Sequence, residues 1–201
     1  MLGRSLTHTS ERNCINMKLL SIREIQSGLD KEFLPLEPML SGYRIVEKVL
    51  SERIIAETET ILKVKFPVEF RIIISAIDFG RLTIGPIVFC ARGDYMQELI
   101  ELNTSVCWWE GMLRPSDFIM IGNSDPFAIL LNVKTGRVLA MDSEAAFVSD
   151  RIIAENFQSF FCGVGTAILM KNDISDRRNL AKCISDCVKC DDIEFWSGLT
   201  H

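Results

Sequence analysis

Two apolar segments on either side of a three-residue turn constrain the fold of this chain more than any other feature. Residues 127–133 and 137–141 flank the turn Lys134-Thr135-Gly136. Gly136 ends that turn and can supply the positive φ that a chain reversal needs, so the two segments are expected to pair antiparallel. A third apolar segment, residues 118–121, comes shortly before them. The sequence therefore predicts at least three neighbouring strands in this part of the chain.

Helical spacing of apolar residues dominates the first part of the chain. It predicts helices over residues 17–33 and 45–62, and the second of these is expected to have an acidic outer surface. Pro67 suits the first turn of a third helix, which is expected to run over residues 67–78 and to stop at Gly80. A strand through Phe70 and Ile72 to Ile74 is the alternative. The acids assigned to the outer surface of the second helix are Glu47, Glu52, Glu57 and Glu59.

After Gly80 the helical spacing of apolar residues gives way to a strand signal. Residues 82–91 predict a bent strand, because glycine and proline interrupt an apolar run. Asp94 is placed to cap a helix that runs to about residue 106, and Ser149 or Asp150 is expected to cap another through Phe161. A last helix over residues 177–188 is followed by an acidic tail. The sequence therefore predicts helices and strands in the same chain.

Four regions follow from this pattern. Residues 1–16 are polar and without periodicity, which predicts a disordered lead. Residues 17–44 form an N-terminal helix and linker, residues 45–170 form the main domain, and residues 171–201 form a C-terminal helical extension.

Charge and composition exclude several classes of function. The chain has 22 Lys and Arg against 27 Asp and Glu, which gives a formal net charge of −5. A nucleic-acid binder needs a concentrated basic face, so nucleic acid is not expected as a partner. No segment reaches the ~18 apolar residues that a membrane span needs, and no signal peptide is evident. A cytoplasmic protein whose seven cysteines are reduced is therefore expected, and its oligomeric state stays open.

The residues needed for common catalytic sites are missing from the interior of the sequence. The only histidines are His8 and His201, near the two ends, so a serine or cysteine nucleophile would lack its usual base. Gly163 and Gly165 follow a predicted helix and lack the third glycine of a phosphate-binding loop. We therefore expect no catalytic residues and no cofactor.

Two clusters of potential ligands have simpler interpretations. Asp94, Glu98 and Glu101 are expected on the solvated face of a helix, although spacing alone does not exclude a carboxylate pair. Cys183, Cys187 and Cys190 include one CxxC pair, which Asp191 or Asp192 could complete, whereas a structural zinc site needs two such pairs. The prediction is a buried apolar stripe of cysteines without metal. A redox-active CxxC is the alternative.

Trp108-Trp109-Glu110 is the segment that fits plain core packing least well. Adjacent side chains on a strand point in opposite directions, so both tryptophans cannot enter one core. We therefore predict that one of them is exposed and serves as an aromatic anchor for a partner. The alternative is structural, with one tryptophan in the core and the other covering a loop.

Four segments in order resemble the SUKH superfamily, which includes the yeast Smi/Knr cell-wall regulator and many bacterial immunity proteins. They read LKVKFPVEF at 62–70, DFIMIGN at 117–123, ILLNVKTGRV at 129–138 and IAENFQSF at 153–160. The resemblance covers about residues 50–165. It implies an α+β fold with a central, mainly antiparallel sheet flanked by helices. It also implies a non-catalytic domain that binds another protein through its sheet and adjoining loops.

In the bacterial members of this superfamily the partner is commonly a toxin, often a nuclease. Nucleases tend to be basic, so an acidic inhibitor suits them. The resemblance therefore implies an immunity protein that binds and neutralises a cognate toxin. Its contact residues are predicted to be Trp108, Trp109, Glu110, Asp94, Asp125 and Asp142. The alternatives are a regulatory or scaffolding module of Smi/Knr type and an enzyme that uses carboxylates or the cysteine cluster.

Overall fold

The computed structural model describes residues 17–109, 111, 113–142 and 151–201. Within this part of the chain there are α-helices, one 3₁₀ turn at Leu34–Leu36 and six β-strands. The helices are α1 Ile22–Phe33, α2 Glu52–Leu62, α3 Val68–Ala76, α4 Tyr95–Thr104, α5 Phe157–Met170, α6 Arg177–Val188 and α7 Ile193–Thr200. The strands are β1 Thr83–Ile84, β2 Ile87–Val88, β3 Phe118–Ser124, β4 Phe127–Asn132, β5 Val138–Asp142 and β6 Ile152–Ala154.

The six strands form one open sheet in the order of the sequence, β1 to β6. Every pair of neighbouring strands is antiparallel. Because each strand lies beside the next one along the chain, short turns are sufficient to connect most of them. The fold is α+β with a central sheet flanked by helices, as the resemblance of the four sequence segments implies.

Both faces of the sheet are buried. On one face Ile119, Ile129 and Val138 belong to the main hydrophobic core, which also takes in aromatic rings of α3 and α5. On the other face Met120, Leu130 and Leu139 belong to a smaller cluster. Strands that are covered on both sides have nearly continuous apolar sequences, which explains why β3 to β5 lack a clear apolar–polar alternation.

The predicted hairpin between β4 and β5 is confirmed. Gly136 has a φ of +78° and its N–H donates to the carbonyl of Asn132 at 2.8 Å. The side-chain oxygen of Asn132 accepts from the N–H groups of Lys134 and Thr135 at 3.0 and 2.9 Å. Asn132 therefore organises the turn, and Gly136 completes it with a conformation that side chains rarely adopt.

Helix α2 begins later than predicted. The side chain of Ser51 accepts a hydrogen bond from Arg53 N–H and caps the helix, whereas the segment before it is extended. There the N–H groups of Lys48 and Leu50 donate to the carbonyls of Ala76 and Ser75. The predicted helical start at residue 45 is therefore wrong, because the segment finds its backbone partners at the end of α3.

Two other predicted boundaries need correction. The bent strand over residues 82–91 is in fact a pair of two-residue strands, β1 and β2, joined through Gly85 at a φ of +57°. The helix predicted from residue 149 or 150 begins only after Asn156, whose side chain accepts from Ser159 N–H at 2.8 Å. Ile152 pairs with Leu139 and so lies in β6. Ser149 and Asp150 lie outside the described residues.

Glu59 is buried, so its predicted place on the acidic outer surface of α2 is wrong. Its side chain is only 1% exposed and forms ion pairs with Lys65 at 2.8 Å and Arg71 at 3.0 Å. It also accepts from Phe66 N–H at 2.9 Å. Burial alone would raise the pKa of Glu59, but these hydrogen bonds outweigh it and the pKa is lowered. Glu59 thus joins α2 to the loop and helix that follow it.

The terminal helices share the main core with the sheet. Trp196 of α7 is buried against Gly163 of α5, and Ile25 of α1 packs at Gly165. A Cβ atom at either glycine would lie 2.7 Å or less from those side chains. The two glycines that resemble part of a phosphate loop therefore allow close helix packing. Helix α6 has the predicted bounds, and the predicted acidic tail contains α7.

Candidate partner-binding site

The loop between α4 and β3, residues 105–117, contains both of the predicted aromatic anchors. We call it the tryptophan loop. Trp108 and Trp109 are each half-buried, and their rings meet edge to face with centroids 5.3 Å apart. Neither tryptophan is a fully buried core residue, so each combines contact with the protein and access to solvent.

Trp108 is the more firmly held of the pair. Its side chain packs on the smaller apolar cluster, which includes Leu102 and Met120. Its indole Nε1 donates to the side-chain oxygen of Asn103 at 3.3 Å. Trp108 therefore covers the second face of the sheet, which gives it a structural role in addition to any role in binding.

Asn103 connects the tryptophan loop to the sheet. This side chain is buried at the end of α4, where its amide donates to the carbonyls of Leu99 and Met120 and its oxygen accepts from Met120 N–H. The hydroxyl of Tyr95, at the start of α4, donates to the Ile121 carbonyl at 2.9 Å. Residues 120–122 are an irregular part of β3, and α4 thus satisfies backbone groups there.

Arg114 fixes the other end of the loop. Its guanidinium donates to the carbonyl of Phe118 and, at 2.6 Å, to the carbonyl of Leu62. Leu62 is the last residue of α2, where helix carbonyls lack partners and a cation is favoured. Burial lowers the pKa of Arg114 from its ordinary value, but an arginine remains charged at neutral pH.

Among the described residues of this loop, the most exposed apolar side chain is one that no sequence pattern singles out. Leu113 is 84% exposed, and Val106 is also exposed. A lone leucine in a loop carries no periodic signal, so only its exposure in the folded chain identifies it. Val106, Leu113 and the half-buried Trp109 are thus apolar side chains of the tryptophan loop that solvent reaches.

Three of the four predicted acidic contact residues lie away from the tryptophans. Asp94 caps α4 and accepts from the N–H groups of Met96 and Gln97, whereas the tryptophan loop leaves the other end of this helix. Ten helical residues separate the two ends by about 15 Å. Asp94 thus has a structural function in addition to its exposed charge.

Asp125 and Asp142 lie together at another part of the sheet. Asp125 is exposed in the turn between β3 and β4, and Asp142 is the last residue of β5 and pairs with Phe127. These two acids therefore lie at the end of the sheet where β3 and β5 end and β4 begins, far from the tryptophan loop along β3. Glu110, the remaining predicted acid, lies outside the described residues.

The three C-terminal cysteines do not form one helical stripe. Lys189, at a φ of 56°, ends α6 before Cys190, so Cys190 lies beyond the helix and its sulfur accepts from Trp196 Nε1 at 3.2 Å. Cys187 donates to the Met17 carbonyl, and Cys183 is disulfide-bonded. The prediction of reduced thiols is therefore wrong for Cys183.

Neither a metal site nor a membrane span is found in the part of the chain that the structure describes. There, no group of three or more His, Cys, Asp or Glu side chains is placed to hold a metal ion. No described helix is both long and apolar enough to cross a bilayer.

No protein-family model and no curated protein matches this chain. The resemblance to the SUKH superfamily therefore stays a prediction from the four sequence segments.

Proposed function

We propose that this chain is a non-catalytic protein-binding domain and that the tryptophan loop is its main contact surface. The observation that carries the proposal is the exposure of Leu113 in a loop that Asn103 and Arg114 hold at its two ends. Apolar and aromatic side chains on a pre-organised loop lose little conformational freedom on binding. Such residues are frequent among the few that dominate binding energy.

The sheet edges favour recognition through a loop rather than through an added strand. At one edge Thr83 N–H donates to the Gly42 carbonyl at 2.8 Å. At the other edge the Ile153 carbonyl accepts from Trp196 Nε1, and Glu155 N–H donates to the Val188 carbonyl. These contacts occupy backbone groups that a partner strand would otherwise use.

The partner is a basic protein. The chain carries a net charge of −5, and Asp94 and Asp125 are exposed acids. Acidic side chains elsewhere on the surface accelerate association with a basic protein through long-range attraction and disfavour acidic competitors. Asp94, Asp125 and Asp142 act in this way at a distance from the anchor, while the tryptophan loop supplies the short-range contacts.

The partner is, more specifically, a cognate toxin of the basic nuclease type, which this chain neutralises as an immunity protein. Support for this step comes from the resemblance of four segments, in order, to the SUKH superfamily and from the acidic charge of the chain. The alternative of a regulatory or scaffolding module uses the same contact surface and differs only in the partner.

Co-expression tests the proposed function directly. Each gene adjacent to the gene for this chain is induced in a heterologous bacterial host, and growth arrest is scored with and without this chain. We expect one neighbour to arrest growth and this chain to restore it. Leu113→Asp should abolish protection, whereas Met39→Asp, at an equally exposed apolar residue (87%) in another loop, should retain it.

The other outcomes separate the hypotheses. If no neighbour is toxic, or if a toxic neighbour is not neutralised, the immunity function is wrong. Capture of a host regulator that depends on Leu113 but not on Met39 would then support the regulatory alternative. Protection that survives Leu113→Asp and Trp109→Ala together would show that the tryptophan loop is not the contact surface.

A further inference from the structure

Helix α6 carries a disulfide whose second cysteine can be identified by elimination. Cys183 is disulfide-bonded. The other cysteines in the described part of the chain are free thiols, namely Cys90, Cys107, Cys162, Cys187 and Cys190. The seventh cysteine of the sequence, Cys14, lies outside the described residues. Within one copy of this chain, Cys14 is therefore the cysteine that is available to complete the bond.

The burial of Cys183 favours a bond within the chain. Its side chain lies on α6 and is only 3% exposed. A second protein molecule, or a small thiol such as glutathione, would have to enter the packed region around α6 to reach the sulfur. A cysteine of the same chain can instead be enclosed there as the chain folds.

The first described residues lie against the same helix. The Cys187 thiol, on α6, donates to the Met17 carbonyl at 3.4 Å. Three residues later, Leu20 N–H donates to Thr166 Oγ1 of α5 at 2.9 Å. Residues 17–20 therefore follow α5 and α6, and residue 17 is held beside Cys187.

The spacing along the chain places Cys14 within reach of Cys183. Cys183 and Cys187 are four residues apart in α6, so they share a face of the helix and lie about 6 Å apart. Cys14 comes three residues before Met17, and three residues of chain span up to about 10 Å. The two Cα atoms of a disulfide are usually about 4.4–6.8 Å apart. The bond can therefore form without a change in α6.

We propose that Cys14 and Cys183 form a disulfide that ties residue 14 to α6. Helices α1 and α6 both contact α5, so the bond joins the two terminal parts of the chain on that helix. It closes a loop of most of the chain and thus restricts the unfolded state. A reducing compartment opens such a bond and an oxidising one keeps it. The stability of this chain therefore depends on redox conditions, whatever partner the tryptophan loop binds.

Peptide mapping of the full-length wild type, purified without reductant, tests the bond. Free thiols are blocked with N-ethylmaleimide in denaturant before digestion with trypsin. We expect one linked pair of peptides, residues 13–18 and 183–189, with the maleimide on Cys187. A maleimide on Cys14, a link from Cys183 to another cysteine, or a covalent dimer would overturn the proposal.

Thermal unfolding with and without dithiothreitol measures the effect of the bond. Dithiothreitol reduces the disulfide to two thiols and becomes a cyclic disulfide itself. This should lower the melting temperature of the wild type by roughly 5 °C or more. Cys14→Ser and Cys183→Ser should melt lower without reductant and should not respond to it.

Cys187→Ser is the matched control, one turn further along α6. Its serine hydroxyl can still donate to Met17, and this variant should keep both the linked peptides and the response to dithiothreitol. Loss of the response in Cys187→Ser, or a wild-type melting temperature that full reduction leaves unchanged, would overturn the proposed role of the bond.

Discussion

The side chain of Asn103 and the backbone of Met120 exchange two hydrogen bonds. The Asn103 Oδ1 atom accepts from Met120 N–H at 2.7 Å, and its Nδ2 atom donates to the Met120 carbonyl at 2.8 Å. Asn103 thus pairs with β3 as a neighbouring strand would, at a place where the strand is irregular. The same Oδ1 atom accepts from Trp108, so one buried amide supports both the sheet and the tryptophan loop.

Replacement of Asn103 by leucine should destabilise the fold by about 2 kcal/mol or more, because two buried backbone groups of Met120 lose their partners. Urea denaturation measures the free energy of unfolding. Gln97→Leu is the matched control on the exposed side of α4, and it should change stability by about 0.5 kcal/mol or less. Equal losses in the two variants would contradict the role assigned to Asn103.

The turn of the β4–β5 hairpin gives a second prediction. Gly136→Val should cost about 1 kcal/mol or more, since a β-branched side chain is poorly tolerated at a φ of +78°. Gly136→Asn should cost less, because asparagine adopts this conformation more readily. The denaturation midpoints of the two variants test this order, and an unchanged midpoint for the valine variant would count against the strain.

Close packing between α5 and α7 gives a third prediction. A Cβ at Gly163 would lie 2.7 Å from the ring of Trp196, whereas a Cβ at Gly198 meets no atom within 4 Å. Gly163→Ala should therefore cost about 1–3 kcal/mol through overpacking. Gly198→Ala should instead stabilise α7 by up to ~1 kcal/mol through helix propensity. Thermal unfolding of the pair provides the test, and the same sign for both variants would refute the packing argument.

Local signals predict the elements that local interactions determine. Asp94 caps α4 through its own helix, and Asn132 and Gly136 form their turn within five residues, so the sequence contains what is needed to place them. The burial of Glu59 and the strand pairing of Ile152 depend on contacts with Arg71 and Leu139, which are distant along the chain. The sequence identifies Trp109 as a possible anchor but not Leu113, because the exposure of a side chain is a property of the folded loop.

Glu59 predicts a dependence of stability on pH. Its pKa is lowered in the folded state from an ordinary value of 4.5. Its contribution is therefore fully present above about pH 4.5 and is lost as the pH falls through the lower folded-state pKa. Glu59→Gln should be less stable than the wild type at pH 7, because Lys65 and Arg71 lose a counter-charge.

The difference between these two proteins should shrink as the pH is lowered from 5 to 3, since protonation removes the same charge from the wild type. Chemical denaturation at pH 7, 5, 4 and 3 measures it. Glu57→Gln, an exposed change on the same helix, is the control and should show a smaller difference at every pH. A constant gap between the wild type and Glu59→Gln would exclude a depressed pKa.

The two tryptophans should respond differently to truncation. Trp108→Ala removes packing on the smaller apolar cluster and a hydrogen bond to Asn103, so it should lower the melting temperature. Trp109→Ala should leave the fold nearly as stable but weaken binding to the partner by roughly thirtyfold or more, the usual loss for an aromatic anchor worth 2 kcal/mol.

Single acid-to-amide changes at Asp125 or Asp142 should mainly slow association and reduce its salt dependence. Calorimetry for stability and surface plasmon resonance for binding separate these effects. If Trp109→Ala binds with unchanged affinity while Leu113→Asp does not, Leu113 rather than the tryptophan is the anchor of the loop.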